Sequence, residues 1–201
     1  SRVLMVLDHY VPCPNDKVAA LHDQMRAAAR AGQAVVVELG EGICHQVVPE
    51  RGYVRPGALI VGGDSHSTTY GALNALGIGV GSSDIAAAMI TGRLWFRVPE
   101  TRRIPLTGPM APGATAKDLG LELLRLIGAG GAIYQALEFA GPGVAALTVS
   151  DRMTVCNLMA ETGAKCAVMP ADDATRNFCA PFGEPPDAVS ADPGASYVGE
   201  T

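Results

Sequence analysis

The chain has 201 residues, of which 48% are hydrophobic and 17% charged, the composition of a globular protein with one large or two small domains. Its formal net charge of −5 argues against a nucleic-acid partner, which needs clustered Lys and Arg. No apolar run approaches the roughly 20 residues that span a bilayer, so we expect no membrane partner. The five cysteines form an odd set without a Cys-x-x-Cys pair, which disfavours a disulfide framework and makes the cytoplasm the expected location.

In the first half of the chain, short apolar runs alternate with helical patterns. Residues 2–7 are apolar and partly β-branched, which predicts a buried strand that Pro12 and Pro14 prevent from continuing. Asn15 or Asp16 can cap the next helix, whose apolar residues recur at helical spacing as far as Gly32. The other predicted elements of this half are strands at 34–39 and 58–62, an apolar glycine-rich run at 73–80 and a helix at 85–91, capped by one of residues 82–84.

Pro99 and clustered arginines predict a domain boundary between residues 97 and 103, after which the alternation resumes. The predicted elements are strands at 104–106, 145–149 and 164–169, helices at 116–127 and 152–162, and a segment at 132–139 that fits either type. From about residue 171 the composition resembles a linker. We therefore predict an α/β fold of two α/β/α units with mainly parallel sheets, one at 1–101 and one at 102–201.

Three polar clusters end apolar segments and contain three of the four histidines: Asp8-His9, His45-Gln46 and Asp64-Ser65-His66. Ligands of parallel sheets bind at the carboxyl ends of the strands, so these clusters are expected to meet in one cleft. A carboxylate beside a histidine fixes its tautomer and raises its basicity, which suits proton transfer at neutral pH. Each histidine taken alone is more typical of a structural residue on a loop, and it is the recurrence at strand ends that favours a shared site.

Three other features carry weaker signals. Residues 77–82 are glycine-rich but do not meet the Gly-x-Gly-x-x-Gly fingerprint, so they predict close packing before a helix, or an anion at its start, rather than a dinucleotide site. Asn157 and Glu161 lie four residues apart in a predicted helix and would share a face, either as a site or as an exposed polar stripe. Cys13 and Cys44 match no zinc-ligand spacing, so no metal site is predicted.

Six motifs along the chain resemble those of the aconitase family. They are Asp8-His9 with Val11-Pro12, and the runs at 42–46, 63–72, 79–84, 138–143 and 153–164. The run at 63–72 reads Gly-Asp-Ser-His-Ser-Thr-Thr-Tyr-Gly-Ala. Residues 95–101 resemble the isopropylmalate isomerase and homoaconitase branch more than aconitase itself.

The resemblance implies two units like aconitase domains 1 and 2. It also implies a hydro-lyase that dehydrates and rehydrates a 2-hydroxy di- or tricarboxylate, of isopropylmalate or homocitrate/homoaconitate type, in amino-acid and specifically leucine biosynthesis. The family uses a [4Fe–4S] cluster as Lewis acid and a mobile domain or small (swivel) subunit that carries a serine base.

Carried over to this sequence, the resemblance assigns six catalytic residues in three carboxylate–histidine pairs: Asp8 with His9, Asp64 with His45, and Glu161 with His66. The first pair would protonate the leaving hydroxyl, and the other two would be further polarised pairs. Ser65 would contact a substrate carboxylate, and Asn157 would lie behind the ligands of the cluster.

The sequence departs from the family in its cysteines. The family's cluster ligands come from a Ser-Cys-Thr-Asn segment and a later Cys-x-x-Cys, and neither occurs here. We expect the cluster-bearing domain to lie outside these residues, and the isolated chain to be inactive as an isomerase. Two alternatives stay open: a cluster-free relative that acts as a mononuclear-metal or metal-free lyase or hydrolase through His9, His45 and His66, and a non-catalytic module for carboxylate binding or assembly.

Overall fold

The computed structural model describes residues 2–201 and shows a mixed α/β protein in which every strand pairing among those residues is parallel. This confirms the predicted fold class. Residues 4–79 form two separate strand pairs, and residues 101–200 form one four-stranded sheet.

In the first half, strand β1 pairs with β2, and β3 pairs with β4. The strands are β1 (Leu4–Val6), β2 (Val35–Val37), β3 (Leu59–Gly62) and β4 (Leu76–Gly79). The helices are α1 (Asp16–Gly32), α2 (Cys44–Glu50), a 3-10 helix at Ser65–Leu73, and α3 (Ser82–Thr91). Asn15 caps α1, as predicted, by accepting a hydrogen bond from the Val18 N–H.

In the second half, the sheet has the order β7-β6-β5-β8. Its strands are β5 (Thr101–Pro105), β6 (Ala136–Ala140), β7 (Cys166–Val168) and β8 (Gly199–Glu200). The helices are α4 (Ala116–Ile127), α5 (Val149–Leu158) and α6 (Asp173–Cys179), with short 3-10 helices at Pro142–Ala146, Met159–Thr162 and Ala180–Phe182. Thr115 caps α4 in a capping box with Asp118.

Four sequence-based expectations are wrong in detail. Residues 145–149 are not a strand, because Thr148 forms a capping box with Asp151 that begins α5. The helix predicted at 152–162 ends at Leu158 and continues as a 3-10 turn. The region after 171 is not only a linker, since it contains α6 and β8. Gly81 occupies the cap position of α3, without a side-chain hydrogen bond.

The 3-10 helix at Ser65–Leu73 lies in the centre of the molecule, and its residues 67–73 are all buried. It packs so closely against β7 that a Cβ on Gly71 would lie 1.6 Å from the Ala167 carbonyl oxygen. The Met169 N–H also donates to the Gly71 carbonyl. One hydrophobic core therefore contains residues from both halves, among them Leu73 and Phe139. The division at 101/102 stays a prediction.

The glycine-rich run at 77–82 serves close packing, as predicted. A Cβ on Gly77 would lie 2.2 Å from the Ser67 carbonyl oxygen, and one on Gly79 would lie 2.6 Å from that of Asp64. Because only glycine allows this approach, β4 supports the start of the 3-10 helix directly. That start carries Asp64, Ser65 and His66.

Candidate active site

Asp64 is the centre of a cluster of three histidines. Its Oδ1 lies 2.9 Å from His45 Nε2, and its Oδ2 lies 3.5 Å from His9 Nε2. The rings of His45 and His66 are 6.1 Å apart between centroids. Asp64 also accepts the His66 N–H at 2.7 Å and so caps the 3-10 helix, which fixes its carboxylate. The structure thus brings together side chains that three different segments supply.

Asp8 holds His9 and the start of α2 at the same time. His9 Nδ1 lies 2.8 Å from Asp8 Oδ1, and the Cys44 N–H donates to Asp8 Oδ2 at 2.6 Å. The residue before α2, Ile43, provides no side-chain cap, so the Asp8 carboxylate takes that place from a distant part of the chain. This contact ties the loop after β1 to the helix that carries His45.

The pKa values of Asp8 and Asp64 are both lowered, although burial by itself acts to raise them. Burial alone would raise the pKa of Asp8, but hydrogen bonds from the Cys44 N–H and from His9 outweigh it. Burial likewise acts to raise the pKa of Asp64, but the His66 N–H and the neighbouring His45 lower it overall. Both side chains are therefore carboxylates at neutral pH.

His9 and His45 shift in opposite directions. The hydrogen bond to Asp8 raises the pKa of His9 above its usual value, against partial desolvation and with help from the charges of Asp8 and Asp64. Burial lowers the pKa of His45, and the attraction of Asp64 does not compensate. The His9 side chain is 65% exposed, whereas that of His45 is only 14% exposed. His9 is thus exposed and more easily protonated than an ordinary histidine, whereas His45 is enclosed and less easily protonated.

His66 forms the third pair, with Glu161. His66 Nε2 lies 3.2 Å from Glu161 Oε1, and His66 Nδ1 lies 3.3 Å from Ser65 Oγ. Ser65 and Glu161 are exposed, so both can reach a bound molecule. The predicted proximity of Glu161 to His66 and of Asp64 to His45 is therefore present in the structure, while the chemical roles of these residues stay predictions.

Asn157 does not contact the histidine side chains. Its Nδ2 donates to Thr69 Oγ1 at 2.9 Å, and Thr69 Oγ1 donates to the His66 carbonyl at 2.6 Å. Asn157 and Glu161 both face the 3-10 helix at Ser65–Leu73, Asn157 through Thr69 and Glu161 through His66, although the helix predicted to carry both of them ends at Leu158. Asn157 instead holds the backbone of the segment that carries His66.

The position of His45 also differs from expectation. His9 and Asp64 follow β1 and β3, as predicted, but His45 lies in the first turn of α2, eight residues beyond the end of β2. Helix α2 begins where the Asp8 carboxylate caps it, and this brings His45 to Asp64. His45 therefore meets Asp64, as predicted, but from a helix rather than from a strand end.

Two residues that hold the site in place, Tyr70 and His22, were not predicted from the sequence. Tyr70 is buried, packs its ring 5.9 Å from that of His45 and directs its hydroxyl towards the Cys44 carbonyl at 3.5 Å. His22 is buried in α1, where its Nε2 lies 3.2 Å from the His9 carbonyl oxygen and its Nδ1 lies 3.1 Å from Cys13 Sγ. Tyr70 belongs to the run at 63–72 and was detectable there, whereas nothing local to His22 indicates its contact with the His9 loop.

The sequence model of the aconitase family (aconitate hydratase) matches residues 6–195, which is nearly the whole chain. The chain belongs to the aconitase family. Its relatives in this family include the 3-isopropylmalate dehydratase large subunit 1 of Methanopyrus kandleri, 44% identical over 100% of this chain and 48% of the relative. The probable methanogen homoaconitase large subunit of Methanosarcina mazei is 43% identical over 100% of this chain and 52% of its own length. The 3-isopropylmalate dehydratase large subunit 1 of Thermotoga maritima is 39% identical over 99% of this chain and 48% of its own length.

The aconitase-family chain therefore spans about half the length of the curated relatives it matches. No helix within residues 2–201 has the length and hydropathy needed to cross a membrane.

The cysteines of this aconitase-family chain do not fit a [4Fe–4S] cluster. Such a cluster needs three or four thiolates that converge on iron. Cys156, Cys166 and Cys179 are buried, and burial, followed by the proximity of Asp8, raises the pKa of Cys44 to about 12. Cys13 is exposed and directed to His22. Within the described part of the chain, no group of three or more His, Cys, Asp or Glu side chains is arranged to hold a metal ion.

Proposed function

We propose that the complete protein is a hydro-lyase that removes water from, and returns it to, a 2-hydroxy di- or tricarboxylate of isopropylmalate or homocitrate/homoaconitate type. The opposite pKa shifts of His9 and His45 around Asp64 are the observation that carries this proposal. Pairs of titratable groups whose environments separate their pKa values are typical of acid–base catalysis. The relatives are named as a 3-isopropylmalate dehydratase and a homoaconitase, which supports the substrate class and a place in leucine biosynthesis or a related pathway.

In the dehydration direction, His9 is the acid. Its Nδ1 is held by Asp8, so the proton on Nε2 is the one that a substrate can receive. The exposed ring leaves room for substrate. Nε2 delivers the proton to the leaving hydroxyl as the carbon–oxygen electron pair departs with it, so the group leaves as water rather than hydroxide. The neighbouring carbon loses its proton to a base, and that electron pair forms the carbon–carbon double bond. A positioned acid of this kind typically contributes about 10²–10⁴-fold to the rate.

The other two pairs orient substrate and acid. Neutral His45 donates from Nε2 to Asp64, which keeps that carboxylate ionised beside His9 and so favours the protonated form of His9. The Ser65 hydroxyl is placed to donate to a substrate carboxylate, and the His66–Glu161 pair is the second proton-exchange group on the exposed side of the cluster.

Three further components belong to the same proposal. The relatives are named as large subunits, which supports a small (swivel) subunit as partner, and we assign the carbon–proton base to that partner. We assign the [4Fe–4S] cluster of the complete enzyme to protein outside these residues, so the isolated 201 residues should not turn over substrate. We also propose a cytoplasmic location and a domain division near 101/102, which cell fractionation and limited proteolysis would test.

A turnover assay on the complete protein with its small subunit tests the function. 3-Isopropylmalate and homocitrate are supplied separately, with lactate as a control that lacks the second carboxylate. The rise in ultraviolet absorbance of the conjugated double bond is followed over time. We expect turnover of one of the two hydroxy-polycarboxylates and none of lactate. Tight substrate binding without double-bond formation, with every subunit and cofactor present, would contradict the proposal and favour a carboxylate-binding module.

A further inference from the structure

Strand β1 has one edge without a strand partner among residues 2–201, since it pairs only with β2. The Val35 N–H donates to the Val3 carbonyl, and the Leu7 N–H donates to the Val37 carbonyl. In a parallel ladder, alternate residues of a strand direct their backbone groups to opposite neighbours. The N–H and C=O groups of Leu4 and Val6 therefore point away from β2.

Strand β3 has the same property, since it pairs only with β4. The Leu76 N–H donates to the Ala58 carbonyl, and the Val80 N–H donates to that of Gly62. By the same alternation, the backbone groups of Leu59 and Val61 point away from β4.

A cleft of about 1840 Å³ lies between these two open edges. Consecutive residues of both strands line it, residues 2–10 on one side and 58–64 on the other. Successive side chains of a strand point to opposite faces, so a cleft that contacts every residue runs along the strand edges rather than over one face. The cleft therefore exposes two rows of backbone hydrogen-bonding groups.

The helices beside the cleft have uncovered apolar surfaces. Helix α3 contains six apolar residues in ten but no buried one, and α1 buries only His22 and Ala29 among its 17 residues. Met25 of α1 and Ile85 and Met89 of α3 face the cleft instead. Helices of α/β proteins bury such surfaces against a sheet, so the surface they would cover lies between β1 and β3.

We propose that one extended apolar segment of the same polypeptide inserts between β1 and β3 as a parallel strand. The sheet then has the order β2-β1-insert-β3-β4, and the insert pairs with Leu4 and Val6 on one side and with Leu59 and Val61 on the other. β1 and β3 have three and four residues, so a strand of about four to five residues is sufficient.

The occupant belongs to the same protein for two reasons. The relatives are about twice as long as these 201 residues, so the family length contains the required chain. Two open strand edges flanked by apolar surface would also promote association between copies of the chain. Natural sheets avoid such association by covering their edges. His9 and Asp64, which follow β1 and β3, lie 3.5 Å apart between Nε2 and Oδ2, so the carboxyl ends of the two strands lie together. A parallel insert keeps this sheet wholly parallel, as is every other strand pairing within residues 2–201. The carboxyl end of the insert would therefore lie beside the candidate active site.

Hydrogen exchange at single-residue resolution tests the insertion. It is measured on the 201-residue chain and on the complete protein encoded by the gene. We expect the amides of Leu4, Val6, Leu59 and Val61 to exchange at least about 100-fold more slowly in the complete protein, because an inserted strand hydrogen-bonds the open edges of both β1 and β3. The amides of Leu7 and Leu76, already bonded within the pairs, serve as controls and should be protected in both.

A substitution gives a second measurement that does not depend on exchange rates. Leu59 is 59% exposed in this chain, so Leu59→Asp should change the Tm of the 201-residue chain by less than about 2 °C. In the complete protein the same change would place a charge against the insert and lower the Tm by about 5 °C or more. Leu121→Asp, on α4 outside the cleft and 46% exposed, is the matched control with a small effect in both.

Three results would overturn the proposal. They are equal exchange of the four amides in both proteins, protection in the 201-residue chain that grows with its concentration and so reports a second copy, and a gene that encodes no residues beyond these. None of these measurements involves turnover, so failure of the insertion is distinguishable from failure of the proposed reaction.

Discussion

His9 and His45 contact the two oxygens of the same carboxylate, Asp64, yet their pKa values move in opposite directions. The difference comes from the surroundings of the ring nitrogen that does not face Asp64. His9 has Asp8 on its other nitrogen and stays largely in solvent, whereas His45 Nδ1 is buried and has no hydrogen-bond partner within residues 2–201. The same carboxylate therefore lies beside one histidine that is more easily protonated than usual and one that is less easily protonated.

Titration of the histidine rings by NMR tests this asymmetry. We expect His9 to titrate above 6.5 and His45 below it. Asp8→Asn removes the largest cause of the His9 shift, so the pKa of His9 should fall towards its usual value. Asp23→Asn, which affects an exposed partner of Arg26, should leave it unchanged. A wild-type His9 that titrates at or below 6.5 would rule out its assignment as the protonated acid.

The same shifts predict how stability depends on pH. The pKa values of Asp8 and Asp64 are lower in the folded protein, so their stabilising contribution is complete above about 3.8 and is lost as pH falls through the folded pKa values. The raised pKa of His9 acts in reverse, with a contribution present below 6.5 and lost as pH rises through its folded pKa. In denaturant titrations, Asp8→Asn and Asp64→Asn should flatten the loss of stability that begins as pH falls below about 3.8. An unchanged acid limb in both variants would contradict this account.

Arg152 is fully buried, and its guanidinium lies 2.9 Å from Asp172. Asp172→Ala should lower the free energy of unfolding by about 3 kcal/mol, since it leaves a buried cation without its counter-ion and removes the cap of α6. Asp173→Ala, one residue later and exposed, is the matched control and should leave the urea midpoint nearly unchanged. Equal midpoints for the two variants would mean that the buried pair does not stabilise the fold.

Gly71 fixes the 3-10 helix against β7. Gly71→Ala would place a methyl group 1.6 Å from the Ala167 carbonyl, so we expect the free energy of unfolding to fall by about 2 kcal/mol or more. Gly32→Ala, at the end of α1 with nothing within 4 Å, should be neutral or slightly stabilising. Thermal unfolding of both variants measures the difference. A Gly71→Ala protein as stable as wild type would show that the two halves are not packed this closely.

The isolated chain should not assemble an iron–sulfur cluster, because its thiols do not converge. After anaerobic reconstitution with iron and sulfide, we expect fewer than about one iron per chain and no cluster absorption. The complete protein, treated identically, is the control. About four irons and four sulfides bound to the 201 residues would show that these cysteines rearrange into a ligand set.

The sequence was most informative where local chemistry decides the structure. Asn15 and Thr115 cap the helices predicted for them, and the apolar runs at 34–39 and 58–62 contain β2 and β3. It failed where a distant contact decides: α2 begins because Asp8 caps it from 36 residues away, so His45 was assigned to a strand end. The strand predicted at 145–149 does not form, because Thr148 caps α5 in a capping box with Asp151. The apolar composition of that run favoured a strand and gave no weight to this cap.

The candidate site shows the same limit. The motifs identified the residues of the three carboxylate–histidine pairs, but only the structure shows that Asp64 contacts both His9 and His45. It also shows that Asn157 acts on the backbone of His66 through Thr69. Both relationships join segments that are distant in sequence, and no local pattern contains them.

The most direct test of the account is the turnover of His9→Ala in the complete protein with its small subunit, normalised to bound iron. If His9 delivers the proton to the leaving hydroxyl, kcat should fall by about 10²–10⁴-fold, while substrate affinity and iron content stay within about threefold of wild type. A structural histidine would instead lower stability and iron content and leave the turnover per loaded enzyme unchanged. A kcat within about threefold of wild type would therefore remove His9 from the mechanism and contradict the central claim.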